Sequence, residues 1–455
     1  MYQKKYHIHF VGIGGIGMSG IAELLLNLNY KVSGSDLKAS DITRRLVKLG
    51  GGVYEGHHED QIKGADVVVT SSAVQHTNPE VVAAEQASIP VIPRAEMLAE
   101  LMRLKYGVAI AGAHGKTSTT SIVSTVLARG GLDPTVVIGG KLKSIGSNAL
   151  LGQGDFIVAE ADESDGSFLK MSPAIAVVTN IDREHLDHYA DLETIKAAFL
   201  SFIDRVPFYG LAVLCLDNEH VQDIIPLIKK RYMTYGMAPQ ADIQAKKVSF
   251  KGLQSDFTVS FRGEELGRVR LNLPGMHNVY NAMASIAVGM ELNLSFDLIK
   301  EALEQAEGVQ RRLEIKGEIQ GATVIDDYGH HPTEIKATLK ALADAWPDRR
   351  KVVVFQPHRY TRTRDLFNDF TRAFYQSDLL LVMPIYSAGE DKIDGVDGHD
   401  LCEDIMAHGH KQVICVKGMN EAVACLRDNL MDRDIVLTLG AGDVWMVGQK
   451  LLEKP

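Results

Sequence analysis

The stretch VAIAGAHGKTSTT, residues 108–120, joins an apolar run to a glycine-containing turn, a lysine and a series of hydroxyl residues. The apolar run predicts a short buried strand, and the segment after the turn predicts a helix that ends at two adjacent glycines. Backbone N–H groups in such a turn can surround phosphate oxygens, and the start of the helix adds positive potential. Lys116 can reach the β- and γ-phosphates of a nucleotide, while the Thr117 hydroxyl can bind Mg²⁺. Position 110 is Ile where the common G-x-x-x-x-G-K-[ST] pattern has Gly, so the loop is shorter, and an ordinary turn is the alternative.

Another glycine-rich turn lies near the start of the chain and is therefore the first glycine turn in chain order. FVGIGGIGMSG, residues 10–20, contains Gly12-x-Gly14-x-x-Gly17, and Asp36 follows nineteen positions after the last of these glycines. This pattern is typical of a dinucleotide-binding turn, in which glycines allow the backbone to approach a pyrophosphate. It makes an NAD-dependent oxidoreductase an alternative. Such an enzyme has no evident use for a second phosphate loop at Lys116.

Strand-like and helix-like segments alternate along the whole chain, which predicts an α/β protein with parallel sheets. Residues 241–273 differ, because apolar and polar residues alternate between polar turns there, as in antiparallel hairpins. At 455 residues the chain is too long for one core. We expect three domains: a Rossmann-like domain over 1–105, a central P-loop ATPase-like α/β domain with antiparallel strands over 106–313, and a C-terminal Rossmann-like α/β domain over 314–455.

Composition excludes several classes of protein. A net charge of −10 argues against a nucleic-acid binder, which would need a basic face. No apolar run approaches the roughly 20 residues of a membrane helix, and the chain runs directly from its first residues into a predicted strand. The four cysteines form no C-x-x-C pair, so we expect buried, reduced thiols and a cytoplasmic enzyme.

Polar side chains follow two predicted strands of the central block. The first set is Glu160, Asp162, Glu163 and Asp165, and the second is Asp182, His185, Asp187 and His188. Carboxyl ends of parallel strands form the edge at which open α/β sheets bind ligands, and Mg²⁺ prefers oxygen ligands. A surface acidic loop is the alternative for the first set. Lys116 and Thr117, which are expected nearby in the same sheet, favour a metal site.

Six segments together resemble one protein family: GAHGKTS, EADESDGSF, TNIDREHLDHY, PGMHNVYNAMAS, GVQRRLE and DDYGHHPTE. They are similar, in order and across all three blocks, to the cytoplasmic Mur ligases of bacterial peptidoglycan synthesis. The resemblance implies ATP-dependent amide formation, with ATP, Mg²⁺, UDP-N-acetylmuramate and L-alanine as ligands. It also implies that the first glycine turn binds the diphosphate of a nucleotide sugar rather than NAD. A murein-peptide recycling ligase is an alternative within the same superfamily.

The resemblance further implies roles for individual residues. Those expected to contact ATP are Gly112, Ala113, His114, Gly115, Lys116, Thr117, Ser118, Asn278, Asn281, Arg311 and Arg312. Those expected to bind metal are Thr117, Glu160 and His185, and those expected to frame the UDP-sugar are Gly12, Gly14, Gly15, Gly17, Asp36 and Ser71 or Ser72. A helix cap is the alternative role for Asn278 and also for Asp36.

The third block is expected to bind the amino acid. DDYGHHPTE supplies Tyr328, His330 and His331, and FQPHRYTRTRDLF supplies His358, Arg359 and Arg362. An arginine can clamp the alanine carboxylate through two hydrogen bonds, and His330 can accept a proton from the amine or orient it. A solvated helix start is the alternative for the arginines, and metal binding for the adjacent histidines. We therefore predict Lys116, His330 and Arg359 as catalytic residues of a monomer or homodimer.

Overall fold

The computed structural model describes residues 6–71, 73–140, 149–185 and 188–453, without the side chain of Ile16. The predicted residues Ser72 and Asp187 lie outside this set. The chain divides into two compact units. Unit 1 comprises residues 1–246, 258–269 and 280–308, and unit 2 comprises 247–257, 270–279 and 309–455.

The first sheet belongs to unit 1 and contains five parallel strands in the order β3-β2-β1-β4-β5. Its strands are β1 His7–Val11, β2 Lys31–Asp36, β3 Gly52–Glu55, β4 Val67–Thr70 and β5 Val91–Pro93. Its helices are α1 Ile16–Asn27, α2 Asp41–Lys48, α3 Pro79–Gln86 and α4 Arg94–Met102. The strand order reverses at β1, so the turn after β1 lies at the point where such sheets bind ligands. That turn is the first glycine turn of the sequence.

The second sheet has ten strands in the order β15-β14-β13-β12-β11-β10-β6-β9-β7-β8. Its strands are β6 Tyr106–Ala111, β7 Thr135–Val137, β8 Ala149–Leu150, β9 Phe156–Glu160, β10 Ile175–Val178, β11 Leu211–Cys215, β12 Tyr232–Gly236, β13 Ile243–Lys251, β14 Gln254–Phe261 and β15 Glu264–Leu271. The helices of this block are α5 Lys116–Arg129, α6 Leu192–Asp204, α7 Glu219–Ile224, α8 Met276–Glu291 and α9 Phe296–Glu304. Strand β6 lies between β9 and β10 and runs parallel to both. The three carboxyl ends therefore meet at one edge.

The third sheet belongs to unit 2 and has the order β16-β17-β21-β18-β19-β20. Its strands are β16 Glu314–Ile319, β17 Ala322–Asp327, β18 Lys351–Phe355, β19 Leu379–Val382, β20 Val413–Cys415 and β21 Ile435–Leu439. Its helices are α10 Pro332–Ala345, α11 Tyr360–Asp365, α12 Phe367–Phe370, α13 Gly398–Ala407, α14 Met419–Asn429 and α15 Trp445–Leu452. Only the pair β16–β17 is antiparallel among the paired strands of this sheet that the structure describes. Val353 and Phe355 face one apolar core and Val352 and Val354 the other, so helices cover both faces.

The expected α/β class with three sheets is confirmed, whereas the domain boundaries at 105 and 313 stay a prediction. Strand β3 and the pair β16–β17 were not singled out from sequence. Strand β3 is short and mostly exposed, so its pattern carries little signal. Among the described residues, every helix is too short or too polar to traverse a lipid bilayer.

The expectation of four reduced thiols is wrong for two of them. Cys402 on α13 and Cys415 on β20 form a disulfide, with a Cα–Cα distance of 5.8 Å. The helix packs against the strand that follows it, which brings the two residues within the range that a disulfide spans. Cys215 and Cys425 are free thiols.

Candidate active site

The first glycine turn is held by the end of β2. Gly12 has φ +80°, which favours glycine, and the N–H groups of Gly12 and Ile13 both donate to the Ser35 carbonyl at 2.9 Å. Gly14 N donates to Asp36 Oδ2 at 2.8 Å, and a Cβ on Gly14 would lie 2.8 Å from the same oxygen. Asp36 therefore braces the turn. It does not cap the following helix, because the cap of α2 is Ser40.

The helix after this turn lies against a cation. A Cβ on Gly17 would lie 2.8 Å from Arg94 Nη1, so a larger residue would require the arginine side chain to shift. Arg94 Nη2 pairs with Asp162 Oδ2 at 3.2 Å. Ser71, which follows the carboxyl end of β4, is half-buried at the neighbouring strand end. The UDP-sugar contacts predicted for Gly15, Asp36 and Ser71 stay predictions.

The second glycine turn connects β6 to α5 and is fixed by the end of β10. Gly112 has φ +134°, and a Cβ there would lie 2.0 Å from Thr179 Oγ1, so the position requires glycine. The Thr179 hydroxyl donates to the His114 carbonyl at 2.6 Å, and the Asn180 side chain both accepts from His114 N and donates to His114 O. His114 Nε2 lies 2.8 Å from Asp182 Oδ2. Gly115 has φ +82° and caps the amino end of α5.

Lys116 is the first residue of α5 and folds back over the turn. Its Nζ donates to the carbonyls of Gly112 and Ala113 at 2.6 and 3.3 Å, and to Glu163 Oε1 at 2.7 Å. Burial opposes the positive charge, but the carboxylates of Glu163 and Asp162 raise the pKa of the Lys116 ammonium above its usual value. A lysine fixed in this way stays charged and lies over a turn suited to phosphate. Thr117 and Ser118 follow it on α5 and are half-buried.

Glu163 lies between this lysine and His185, which is in the segment after β10. Its side chain is 3% exposed, and Oε1 lies 3.4 Å from His185 Nε2. Oε2 is buried and has no hydrogen-bond partner among the residues that the structure describes. Ligand atoms of Glu163, Glu184 and His185 lie within 4.8 Å of one another. Two carboxylates and an imidazole are suitable ligands for a divalent cation. Such an ion would give the buried Oε2 of Glu163 a partner.

His185 is held in this group by the backbone and by charge. It has φ +57°, in the left-handed region that few side chains adopt. Burial lowers the pKa of His185, but Glu163 and Glu184 outweigh burial and raise it above its usual value. The predicted position of His185 beside the phosphate loop is consistent with this geometry, although its role as a ligand stays a prediction.

The acidic residues at the end of β9 and just after it have different partners. Glu160 is the last residue of the strand, and its Oε1 accepts from Gly139 N at 2.7 Å. Asp162 lies between two cations: burial raises the pKa of its carboxyl, but Lys116 and Arg94 hold it below its usual value. Of the predicted metal ligands, His185 lies in the group around Glu163. Glu160 accepts a hydrogen bond from Gly139 and stays a prediction as a ligand.

The two predicted asparagines lie on α8 in different units. In unit 1, Asn281 Oδ1 accepts from the Thr119 hydroxyl at 3.0 Å, and a Cβ on Gly115 would lie 2.9 Å from the same oxygen. Asn281 therefore packs directly against the phosphate loop. In unit 2, Asn278 Nδ2 donates to the Pro274 carbonyl at 2.8 Å. Their predicted nucleotide contacts are not tested by these bonds.

Arg311 in unit 2 is bound within the protein. Its Nε donates to Asp326 Oδ2 at 2.9 Å and its Nη2 to the Gly440 carbonyl at 2.6 Å. Arg311 and Arg312 lie over the Tyr328 ring at 5.1 and 5.3 Å from its centre. Arg311 thus braces the loop after β21, and the nucleotide contact predicted for it stays a prediction.

His330 and His331 point to different partners, as expected for adjacent residues. His330 Nδ1 lies 3.1 Å from the Tyr328 carbonyl and 3.5 Å from Glu334 Oε2. His331 caps α10, because its Nδ1 accepts from Thr333 N at 3.3 Å. The His330 ring lies 5.9 Å from that of His358. His330 and His331 therefore do not form a metal-binding pair with each other. The His330 ring lies beside the basic segment after β18, residues 358–364.

That basic segment is built around an unpredicted carboxylate. Arg359 has φ +74° and donates from Nε to Glu390 Oε1 at 2.6 Å, while Thr361 donates to both Glu390 oxygens. Arg362 Nη1 lies 3.4 Å from His358 Nδ1. Burial and the neighbouring His330, Arg362 and Arg359 lower the pKa of His358 to about 3, so this ring is neutral. Glu390 thus fixes the orientation of Arg359.

Two residues that organise these groups, Glu184 and Glu390, were not predicted from the sequence. Glu163 was predicted only as one of four acidic residues. The EHLDHY segment placed an acidic residue directly before His185, which was an available signal for Glu184. Glu390 lies in a loop 31 residues after Arg359, and no local pattern marks it.

Three family models match successive parts of the chain. The Mur ligase family catalytic domain matches residues 7–106, the Mur ligase middle domain matches 110–289, and the Mur ligase glutamate ligase domain matches 311–442. The chain belongs to the Mur ligase family, in agreement with its three sheets and its lysine-bearing phosphate loop.

Individual relatives refine this result. A UDP-N-acetylmuramate–L-alanine ligase of Desulfatibacillum aliphaticivorans is 66% identical over 452 residues, covering 99% of each chain. The crystal structure of a UDP-N-acetylmuramate–alanine ligase from Thermotoga maritima is similar with a TM-score of 0.84 and 29% identity, covering 98% of both chains. A murein peptide ligase from Psychrobacter arcticus covers the same share with a TM-score of 0.73, but at 22% identity the likeness concerns the fold alone.

Proposed function

We propose that this protein joins L-alanine to the lactyl carboxylate of UDP-N-acetylmuramate at the expense of ATP, releasing ADP and phosphate. The observation that carries the proposal is the 66% identity, over nearly the whole chain, to a ligase of that name. The phosphate loop with its buried, charged lysine supports the ATP-dependent step. The reaction would supply a peptidoglycan precursor in the bacterial cytoplasm, and this location rests on the family resemblance.

The first step is transfer of the γ-phosphoryl group. A carboxylate oxygen of the lactyl group bonds to the γ-phosphorus, the bond from that phosphorus to the bridging oxygen breaks, and ADP leaves. Such a transfer depends on positioning and on neutralising charge rather than on covalent help from the protein. Lys116 is the residue best placed to stabilise the γ-phosphate, because its ammonium already lies over Gly112 and Ala113. On nucleotide binding it would exchange these carbonyl partners for phosphate oxygens.

The described residues fit a magnesium ion at the same edge of the sheet. Glu163, Glu184 and His185 would hold it, and Thr117 and Glu160 are further ligands predicted from sequence. When bound, Mg²⁺ neutralises charge on the β- and γ-phosphates. Glu163 Oε2, which is buried and lacks a hydrogen-bond partner among the described residues, is the feature that supports a cation here.

The second step forms the amide. The alanine amine bonds to the carboxyl carbon of the acyl phosphate formed in the first step and loses a proton. Phosphate leaves as the tetrahedral intermediate collapses. His330, anchored through Nδ1 at the Tyr328 carbonyl, is the proposed acceptor or orienting group for that proton. Arg359 and Arg362 are proposed to bind the alanine carboxylate, with Glu390 holding the first of them in place.

The test is a reconstitution with purified full-length protein. Phosphate release and product mass are measured with ATP, Mg²⁺, UDP-N-acetylmuramate and single amino acids. We expect a product carrying one alanine, formed only when all four components are present. Turnover with the tripeptide L-alanyl-γ-D-glutamyl-meso-diaminopimelate but not with L-alanine would refute the proposal in favour of a recycling ligase.

A further inference from the structure

A buried polar cluster lies within the first sheet, directly behind the first glycine turn. Its members come from β1, from β2, from the loop after β3 and from α3: His7, His9, Ser33, Ser35, His57 and Glu80. None of them belongs to the groups at the phosphate loop described above. Buried polar groups cost free energy unless they are paired, so an assembly of this size needs an explanation.

Glu80 is at the centre of this cluster. It is the second residue of α3, where the helix terminus favours a negative charge, and its exposed fraction is 0%. Oε2 accepts from the Ser35 hydroxyl at 2.5 Å and lies 3.2 Å from His57 Nδ1. Oε1 lies 3.7 Å from His9 Nε2, and the Gln61 amide donates to it when its nitrogen faces inward. Burial would raise the pKa of the Glu80 carboxyl, but His9, the Ser35 hydroxyl and His57 hold it below its usual value.

The histidines of β1 extend the same network. His7 Nδ1 lies 2.8 Å from the Gly64 carbonyl and therefore carries a proton, which leaves its Nε2 to accept from the Ser33 hydroxyl at 2.7 Å. Ser33 then has no proton left for His9, so His9 Nδ1 donates to it at 2.8 Å. His9 Nε2 is then the ring atom that faces Glu80 Oε1, at 3.7 Å. The network thus orients the His9 ring toward the buried carboxylate.

Ser35 connects the cluster to the glycine turn. Its hydroxyl is bound to Glu80, and its carbonyl accepts from Gly12 N and Ile13 N at 2.9 Å. A single residue therefore holds the turn with its backbone and the buried acid with its side chain. If only packing were required, apolar side chains of similar volume would fill this position with no desolvation penalty.

We propose that Glu80 is a positioning residue for the nucleotide diphosphate: through Ser35 it fixes the glycine turn that leads into α1, beside which the phosphates bind. His9 Nε2 and His57 Nδ1 lie 3.7 and 3.2 Å from its two carboxylate oxygens, and the Ser35 hydroxyl donates to one of them, so the side chain is held in one orientation. This inference rests on the proposed function in one respect, namely that the first glycine turn binds the UDP part of the substrate.

The experiment compares full-length wild-type protein with Glu80→Gln and Ser35→Ala, using uridine diphosphate as the calorimetric probe and UDP-N-acetylmuramate in rate assays. Glu80→Gln removes the charge and keeps the shape. We expect it to raise the Kd for UDP and the KM for the UDP-sugar by about tenfold, the loss typical of one charged hydrogen bond. Ser35→Ala should raise both by a similar factor, and the double variant should be no worse than either single variant. The KM for ATP and kcat at saturation should stay within about twofold.

Glu85→Gln is the matched control, because Glu85 is exposed on the same helix. A purely structural role for Glu80 would lower the melting temperature and leave Kd and KM of the folded protein unchanged, and that result would overturn the inference. If Glu80→Gln does not fold, Ser35→Ala, which removes a single oxygen, carries the test. Failure of the wild-type protein to bind either UDP or the UDP-sugar would instead refute the proposed function, and the inference with it.

Discussion

Replacing Lys116 with methionine tests the central electrostatic contact of the phosphate loop. The ammonium lies 2.7 Å from Glu163 Oε1, and the two side chains are 17% and 3% exposed. At that separation and an effective dielectric constant of about 20, the attraction is about 6 kcal/mol. Removing only the lysine leaves a buried carboxylate without its main partner, which costs about 3–5 kcal/mol of folding free energy. Lys116→Met should therefore melt well below the wild-type protein.

The double variant Lys116→Met with Glu163→Gln separates stability from catalysis. It replaces the ion pair by neutral groups of similar shape, so most of the lost stability should return. Turnover should not return, because the γ-phosphate would still lack the lysine and the magnesium ion would lose a proposed ligand. We expect kcat to fall by at least about 10²–10³-fold in both variants. Melting temperature and initial rate of phosphate release are the two measurements. Turnover of Lys116→Met within about tenfold of wild type would refute the ATP assignment, and equal instability of the single and double variants would show that the ion-pair reasoning is wrong.

Three further substitutions have defined outcomes. Because the pKa of His358 is about 3 when folded and about 6.5 when unfolded, the unfolded chain takes up the extra proton as pH falls. The free energy of unfolding should thus drop by about 2 kcal/mol from about pH 7 to about pH 5 through this group. His358→Gln should remove that part of the pH dependence of the unfolding free energy measured by urea titration. An unchanged pH dependence would contradict the burial argument. Glu390→Gln should raise the KM for L-alanine about fivefold and leave that for ATP unaltered, since it loosens Arg359; equal changes in both constants would count against this role. Gly112→Ala would place a methyl group 2.0 Å from Thr179 Oγ1 at φ +134°, so calorimetry should show ATP binding weakened by at least about tenfold, and wild-type affinity would disprove the steric argument.

The two glycine turns and the convergence of ligands at one sheet edge could be predicted from local sequence. Both follow from short-range rules: glycine permits backbone conformations that other residues avoid, and parallel strands present their carboxyl ends together. Lys116 is an example, because its position at the start of a helix after a buried strand is visible in residues 108–120. The family resemblance added ligand identities that no spacing rule supplies.

Long-range contacts could not be predicted in the same way. Residue spacing does not distinguish Glu160, Asp162 and Glu163, and the family resemblance selects Glu160 as a metal ligand. In the structure Glu163 contacts Lys116, whereas Glu160 contacts Gly139. The disulfide between α13 and β20 likewise depends on how a helix packs on a strand, and its spacing of 13 residues has no diagnostic value.

The sequence by itself determined the α/β class, the two glycine turns and the family, because each depends on residues that are close together in the chain. Only the tertiary structure decided which acid neutralises Lys116, which carboxylate orients Arg359, and that Glu80 lies behind the first glycine turn. Partners of these kinds are separated by 31 to 47 residues, so only the packing of distant strands and helices brings their charges within hydrogen-bonding distance.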